Sequence, residues 1–158
     1  MFRNAIGVIS CWLLLNGSAM AEQSDVMLEV TGLIAGGPVM LDRDAVQGLP
    51  ATTVQTSTVV TDGVHSFTGF LMRDLLEQVQ ATGDTITAIA LNDYEIDIPI
   101  ADFHDYDVIV AYEMDGKALT RDDKGPLWII YPRDAHRALQ DIRYDYRWVW
   151  QLSRIDVK

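Results

Sequence analysis

Cysteine is nearly absent from this 158-residue sequence, with Cys11 the single example. An intrachain disulfide needs two thiols and a cysteine-based metal site needs several, so neither can form. Histidine is almost as scarce. His65, His104 and His136 lie far apart, in none of the spacings such as H-x-x-x-H or H-E-x-x-H that aim two imidazoles at one metal. No G-x-S-x-G elbow activates a serine, and Gly32, Gly36 and Gly37 do not open the long helix that a phosphate-cradling loop requires. Positive charge is short as well: 12 Lys and Arg stand against 23 Asp and Glu, a formal charge of −11. That field repels phosphate backbones and anionic lipid, which argues against nucleic acid and against a membrane surface as partners. Low-complexity tracts and repeats are also missing, and 49% of the residues are hydrophobic, which excludes a disordered chain.

What is present begins with a three-part leader. Arg3 supplies a positive start, Ala5 to Leu15 an apolar stretch, and Ala19-Met20-Ala21 the small residues that a signal peptidase reads. The apolar stretch reaches only about half-way across a ~30 Å hydrocarbon core, so the pattern predicts a cleaved export signal rather than an anchor. Cleavage is expected after Ala21, giving residues 1–21 as signal peptide and residues 22–158 as one periplasmic domain. The 137 residues from Glu22 onward then contain no thiol. A domain of that size buries roughly two-thirds of its unfolded surface and needs no staple.

Periodicity in residues 22–158 predicts an α+β domain dominated by a mixed or antiparallel sheet. Val26 to Thr31 alternates with Val26, Leu28 and Val30 on one face, a first strand. Asp42 is suited to cap a short helix over Arg43 to Gln47, stopped by Gly48 and Pro50. Thr52 to Thr61 is rich in β-branched residues and reads as a strand. After the Asp62-Gly63 turn, a helix is expected from about Met72 to Gln80, with Leu71, Leu75, Leu76 and Val79 on one face. Ile86 to Leu91 and Tyr94 to Ile98 read as a hairpin around Asn92-Asp93. Further strands are expected over Val108 to Tyr112, Leu127 to Tyr131 and Trp148 to Val157, and alternation in the last would set Trp148 and Trp150 on one face.

The chemistry concentrates in the last third. Tyr131, Tyr144, Tyr146, Trp148 and Trp150 are interleaved with Arg133, Arg137, Arg143 and Arg147 in a chain that is otherwise anionic. Two readings fit. In one, a tryptophan belongs to the core and the arginines pair with Asp134, Asp141 and Asp145. In the other, the cluster is an aromatic shelf with cationic donors, suited to a flat, electron-rich heterocycle.

Four segments, taken in order and spacing, point to a family: Phe67-Thr68-Gly69-Phe70-Leu71-Met72-Arg73-Asp74-Leu75-Leu76, Asn92-Asp93-Tyr94, Ala111-Tyr112-Glu113-Met114-Asp115-Gly116, and Gly125-Pro126-Leu127-Trp128-Ile129-Ile130-Tyr131-Pro132. The set resembles the molybdopterin-binding domain of the sulfite oxidase fold. Enzymes of that fold hold molybdenum through a cysteine in the segment before the F-x-G motif. The corresponding stretch here, Thr56 to Gly63, has none, so the resemblance implies a retained pterin pocket and makes a molybdenum cofactor unlikely.

In length and layout the chain resembles small exported relatives that bind a pterin and report to membrane-bound diguanylate cyclase/phosphodiesterase partners. A pterin offers an N–H-rich edge that wants a carboxylate, acceptors that want Arg or backbone N–H, and a flat face that wants an aromatic. By residue chemistry, Asp62 or Asp93 suits the amine edge, Arg133 or Arg147 the acceptor edge, and Tyr94, Trp148 or Trp150 the face. Asp93 is equally suited to a hairpin turn. The expectation is a non-catalytic pterin receptor. Its rivals are a molybdenum-cofactor oxidoreductase, and a ligand-free interaction module presenting the acidic stretch Asp102-Phe103-His104-Asp105-Tyr106-Asp107.

Overall fold

The computed structural model describes residues 25–158. The expected export signal over residues 1–21, and with it Cys11, lies outside the described residues. Ten strands form two five-stranded sheets joined by short helices. In the first sheet, β1 (Leu28–Gly32) lies between β2 (Val39–Leu41) and β10 (Leu152–Val157), and β10 continues to β5 (Thr85–Ala90) and β6 (Glu95–Pro99). The β1–β10 pairing is parallel and the others antiparallel. In the second sheet, β3 (Ala51–Ser57) pairs β4 (Val64–Leu71), β4 pairs β7 (Ile109–Met114), and β7 pairs both β8 (Lys117–Ala118) and β9 (Trp128–Ile130). The result is the expected α+β domain, with one mixed and one antiparallel sheet.

One apolar core receives side chains from both sheets. Leu28, Val30, Ile86 and Ile155 come from the first, and Phe67, Phe70, Val110 and Ile129 from the second. Phe67 meets Trp128 edge to face at 5.4 Å between ring centroids, an arrangement that adds to the area each ring buries. Gly69, the glycine of the F-x-G motif, sits where the β4–β7 register shifts. A Cβ there would stand 2.0 Å from the Val110 carbonyl oxygen, so the two backbones can approach only at glycine.

The local signals largely find their elements. Asp42 caps α1 (Arg43–Gln47) by accepting from the Ala45 N–H at 2.8 Å. The hairpin of β5 and β6 turns at Asn92-Asp93, with Asp93 at φ 64°. Helix α2 spans Met72–Gln78 and buries Met72, Leu75 and Leu76, whereas Leu71 is only half-buried.

Several expectations are corrected. Val26 lies before β1 and is 45% exposed, so the buried face begins at Met27 and Leu28. The strand expected to Thr61 ends at Ser57, where Thr58 turns the chain by accepting from the N–H groups of Val60 and Thr61. The acidic stretch is not a loop throughout: residues Ala101–Asp105 form a helix, α3, that buries Asp102 and Phe103. The final strand begins at Leu152, because Gln151 adopts φ 52° and the extended run cannot pass through it. Trp148 and Trp150 therefore lie in a non-strand approach to β10, after a 3-10 turn (Arg137–Gln140) and a short helix, α4 (Ile142–Asp145). Among the described residues no helix is long and apolar enough to cross a membrane.

Candidate ligand cavity

Three connections line an open cavity of about 290 Å³. The loop after β3 contributes Val59 and Val60. The β5–β6 turn contributes Ala90, Asn92 and Tyr94. The approach to β10 contributes Asp145, Tyr146, Trp148, Val149 and Trp150.

The approach segment is held in place by its backbone. The Ile129 N–H donates to the Val149 carbonyl at 2.9 Å, the Leu152 N–H to the Leu127 carbonyl at 2.9 Å, and the Gln151 N–H to the Lys124 carbonyl at 2.9 Å. Trp150 forms an isolated bridge to Trp128. Across the cavity, the Tyr94 hydroxyl donates to the Tyr146 carbonyl at 2.9 Å and ties the hairpin turn to the approach segment. Partial burial, then the neighbouring Tyr146, raises the Tyr94 phenol above its ordinary pKa, so it remains a donor at neutral pH.

The wall is predominantly apolar and aromatic, with Asp145 its only formally charged residue. Trp148 is 3% exposed, against 40% for Trp150. The two rings therefore differ in kind: one is a buried wall and the other a half-open rim. Two polar atoms of the lining residues are buried without a hydrogen-bond partner, Asp145 Oδ1 and Trp148 Nε1. Outside the lining, Trp128 Nε1 and Arg133 Nε share that condition. Asn92 uses its side-chain oxygen to accept from the Tyr94 N–H at 3.2 Å.

Behind the same segment lies a second polar group with the opposite character. The Arg147 guanidinium donates to the carboxylate of buried Asp102, which also accepts from the Tyr131 hydroxyl at 2.8 Å. Arg147 stacks over the Tyr144 ring at 4.8 Å. Burial, followed by the Asp102 charge, pushes the Tyr131 phenol well above its usual range and keeps it a donor.

The structure thus brings together three of the seven residues singled out by chemistry. Tyr94, Trp148 and Trp150 line one cavity. Asp93 sits beside it as the turn residue, its N–H donating to the Ala90 carbonyl at 3.1 Å. Asp62 is exposed in the β3–β4 loop, its carbonyl accepting from His65 Nε2 at 2.9 Å. Arg133 is partly buried and outside the lining, and Arg147 is committed to Asp102. The pairing of arginines with nearby aspartates holds for Arg143, which donates to Asp141 at 2.9 Å, whereas Asp134 accepts from the Ser57 hydroxyl at 2.7 Å. Sequence reasoning passed over Val59, Val60, Asn92 and Asp145 as cavity residues. For Asp145 a signal existed, its position between two tyrosines in the aromatic run.

Comparison with known proteins agrees with this architecture. The sulfane dehydrogenase SoxCD from Paracoccus pantotrophus superposes with a TM-score of 0.65 at 17% sequence identity, over 85% of this chain and 38% of that one. At that identity the likeness is one of fold, and the chain spans well under half of that protein. No curated protein matches the sequence. Residues 40–157 match the oxidoreductase molybdopterin binding domain. With three-quarters of its length inside that match, the chain belongs to the oxidoreductase molybdopterin binding domain family.

Proposed function

We propose that this protein is a non-catalytic receptor for a pterin-type heterocycle, which it holds in the cavity between the β5–β6 turn and the approach to β10. The observation that carries the reading is the cavity wall itself. It combines the aromatic side chains of Tyr94, Trp148 and Trp150 with the polar residues Asn92 and Asp145 in one lining. A concave, mainly apolar and aromatic wall with a few polar groups is the usual character of a site for a flat heterocycle.

The donor set bears on which part of a molybdopterin cofactor suits the site. The pterin ring finds flat walls and polar atoms of both senses. A thiolate for the metal is missing from residues 25–158, since the one cysteine of the chain is Cys11. The cavity wall also carries no Lys or Arg to meet a phosphate tail. We therefore favour a pterin without metal as the resident ligand. When bound, such a ring supplies no chemistry of its own in this reading. Trp148 and Trp150 orient it, Asn92 and Asp145 fix its edge, and the apolar wall excludes water.

A receptor needs somewhere to report. The acidic chain, the leader with its Ala19-Met20-Ala21 site and the resemblance to small exported pterin binders support a periplasmic location after cleavage at Ala21. They also support signalling to the periplasmic face of a membrane-bound diguanylate cyclase/phosphodiesterase-type partner.

Mass spectrometry of small molecules released from protein isolated gently and without oxygen from its own host tests this reading. A stoichiometric pterin lacking dithiolene and metal is the expected result. Molybdopterin accompanied by stoichiometric molybdenum would replace the receptor with an oxidoreductase. Failure of purified protein to bind any added pterin would overturn the ligand assignment.

A further inference from the structure

The two sheets have four margins among the described residues, and three of them are blunted against pairing. The margin at β6 alternates Glu95 and Asp97 and finishes on Pro99, which has no N–H to offer. At β2 the strand is only three residues long. Beyond β7 the margin is shared by two-residue β8 and by β9, whose Ile129 N–H already donates to the Val149 carbonyl. The fourth margin, β3, carries none of these devices. It pairs β4 without a register break over seven residues, Ala51–Ser57, and no other strand among the described residues lies beyond it. It contains no proline, and no charged residue occurs anywhere between Asp44 and Asp62. A long, even, uncharged margin is a template for pairing with another chain.

The backbone bonds show which groups that margin offers. The Ser66 carbonyl accepts from the Asp115 N–H at 2.8 Å, and the Ser66 N–H donates to Asp115 Oδ1 at 2.9 Å, so Ser66 faces β7. Successive strand residues alternate in direction, so His65 and Phe67 face β3 and meet Thr56 and Val54 there. Ala51, Thr53 and Gln55 therefore aim their N–H and C=O groups away from β4, and all three are exposed. The next residue of that set, Ser57, has its N–H taken by Asp134 at 2.6 Å, and Pro50 precedes the first. Those two features limit the open margin to residues 51–55.

We propose that β3 pairs antiparallel with β3 of a second copy of this chain, about a two-fold axis at Thr53, so that the second sheet runs on through a dimer. In that register Thr53 exchanges bonds with its own copy and Ala51 with Gln55 of the other chain, which uses every outward N–H and C=O of residues 51–55. The side chains suit it as well: threonine faces threonine, and the long Gln55 faces the small Ala51. Charge selects this occupant. Each copy carries a formal charge of −11, and like-charged chains approach best where neither bears a charge. A cationic partner would be drawn to the acidic surface instead. The pairing is independent of what the cavity holds.

Sedimentation velocity of the intact protein tests the pairing. One strand pair is a small interface, so the average mass should climb reversibly from one chain to two between about 1 µM and 1 mM. Higher salt should tighten the dimer by screening the negative charge that both copies carry. Thr53→Pro removes the N–H at the axis and leaves the bonds to β4, losing otherwise only the exposed Thr53–Thr68 hydroxyl contact. It should raise the concentration of half-dimerisation at least about tenfold, the scale of the lost hydrogen bonds, with far-UV circular dichroism unchanged. Thr53→Lys keeps the backbone and sets two like charges across the axis, so it should weaken the dimer similarly and decides the matter where the proline variant misfolds. A mass that stays at one chain up to about 1 mM would overturn the inference, even if an extended peptide of another protein binds β3. A dimer that salt loosens, or that Thr53→Lys leaves intact, would also overturn it, by placing the contact elsewhere.

Discussion

The approach to β10 has two sides, and they treat buried polar groups in opposite ways. On the α3 side, Asp102, Tyr131 and Arg147 satisfy one another, with Tyr144 stacked on the guanidinium. On the cavity side, Asp145 Oδ1 and Trp148 Nε1 are buried and unmatched. A matched network contributes to a unique structure. An unmatched pair is retained at a cost in stability. Four residues, Asp145 to Trp148, contain both behaviours.

Substitutions can break this contrast. The largest effect is expected for Asp102→Ala, which strands the Arg147 charge and the Tyr131 hydroxyl together. Losing one member of a mostly buried ion pair costs about 3 kcal/mol, visible as a lower urea midpoint with an unchanged slope. Asp145→Asn is the counterpart on the cavity side, and its stability should move by less than about 0.5 kcal/mol, because no protein group loses a bond. If both aspartates cost the same, the distinction between the two sides is wrong.

The two tryptophans sharpen the contrast further. Trp148→Ala empties a buried site and should destabilise by about 3 kcal/mol, so its binding defect cannot be separated from folding. Trp150→Ala, at a half-open rim, should leave the melting transition nearly in place while weakening pterin about fivefold, the value of ~1 kcal/mol of ring stacking. Tyr94→Phe removes the bond to the Tyr146 carbonyl and should cost about 0.5–1 kcal/mol by denaturant titration.

The smallest effect is expected at His65, which is outside the cavity lining. A hydrogen bond to the Asp115 carboxylate at 2.7 Å, and then the Asp62 carbonyl, raise the His65 pKa. A raised folded-state pKa stabilises the fold fully below the unfolded value of about 6.5 and loses that contribution as pH rises through the folded value. The melting temperature should therefore fall slightly between about pH 6 and pH 8, and the step should vanish in His65→Gln. Pterin affinity should not follow it.

Local chemistry made part of this molecule legible. The Asp42 cap, the Asn92-Asp93 hairpin and the apolar face of α2 each depend on neighbours within a few residues, and each stands as the pattern indicates. Where tertiary contacts decide, the pattern misled. Helix α3 is five residues long, too short to persist by propensity. It is held by the bonds of Asp102 to residues 29 and 45 positions away, which nothing in an acidic hexapeptide announces. Alternation through Trp148-Val149-Trp150 looked like a strand, but the Gln151 side chain donates to the Arg121 carbonyl at 2.7 Å and to the Asp123 carbonyl at 3.2 Å. That anchor fixes the left-handed residue that ends the alternation. The candidate ring-binding aromatics were legible from composition. Asp145 in the same lining was not legible, because it invites pairing with Arg147, and the arginine instead turns to Asp102.

The parallel pairing of β1 with β10 has a consequence for how the protein is made. Strand β10 lies between β1 and β5, so two strands written early must wait for one written late. Until residues 152–157 are available, β1 and β5 each present an unpaired edge, and the first sheet exists only as two separate hairpin-like pieces. Long-range pairing of this kind folds slowly. Any change that trims or blocks β10 therefore exposes the middle of a sheet rather than its margin.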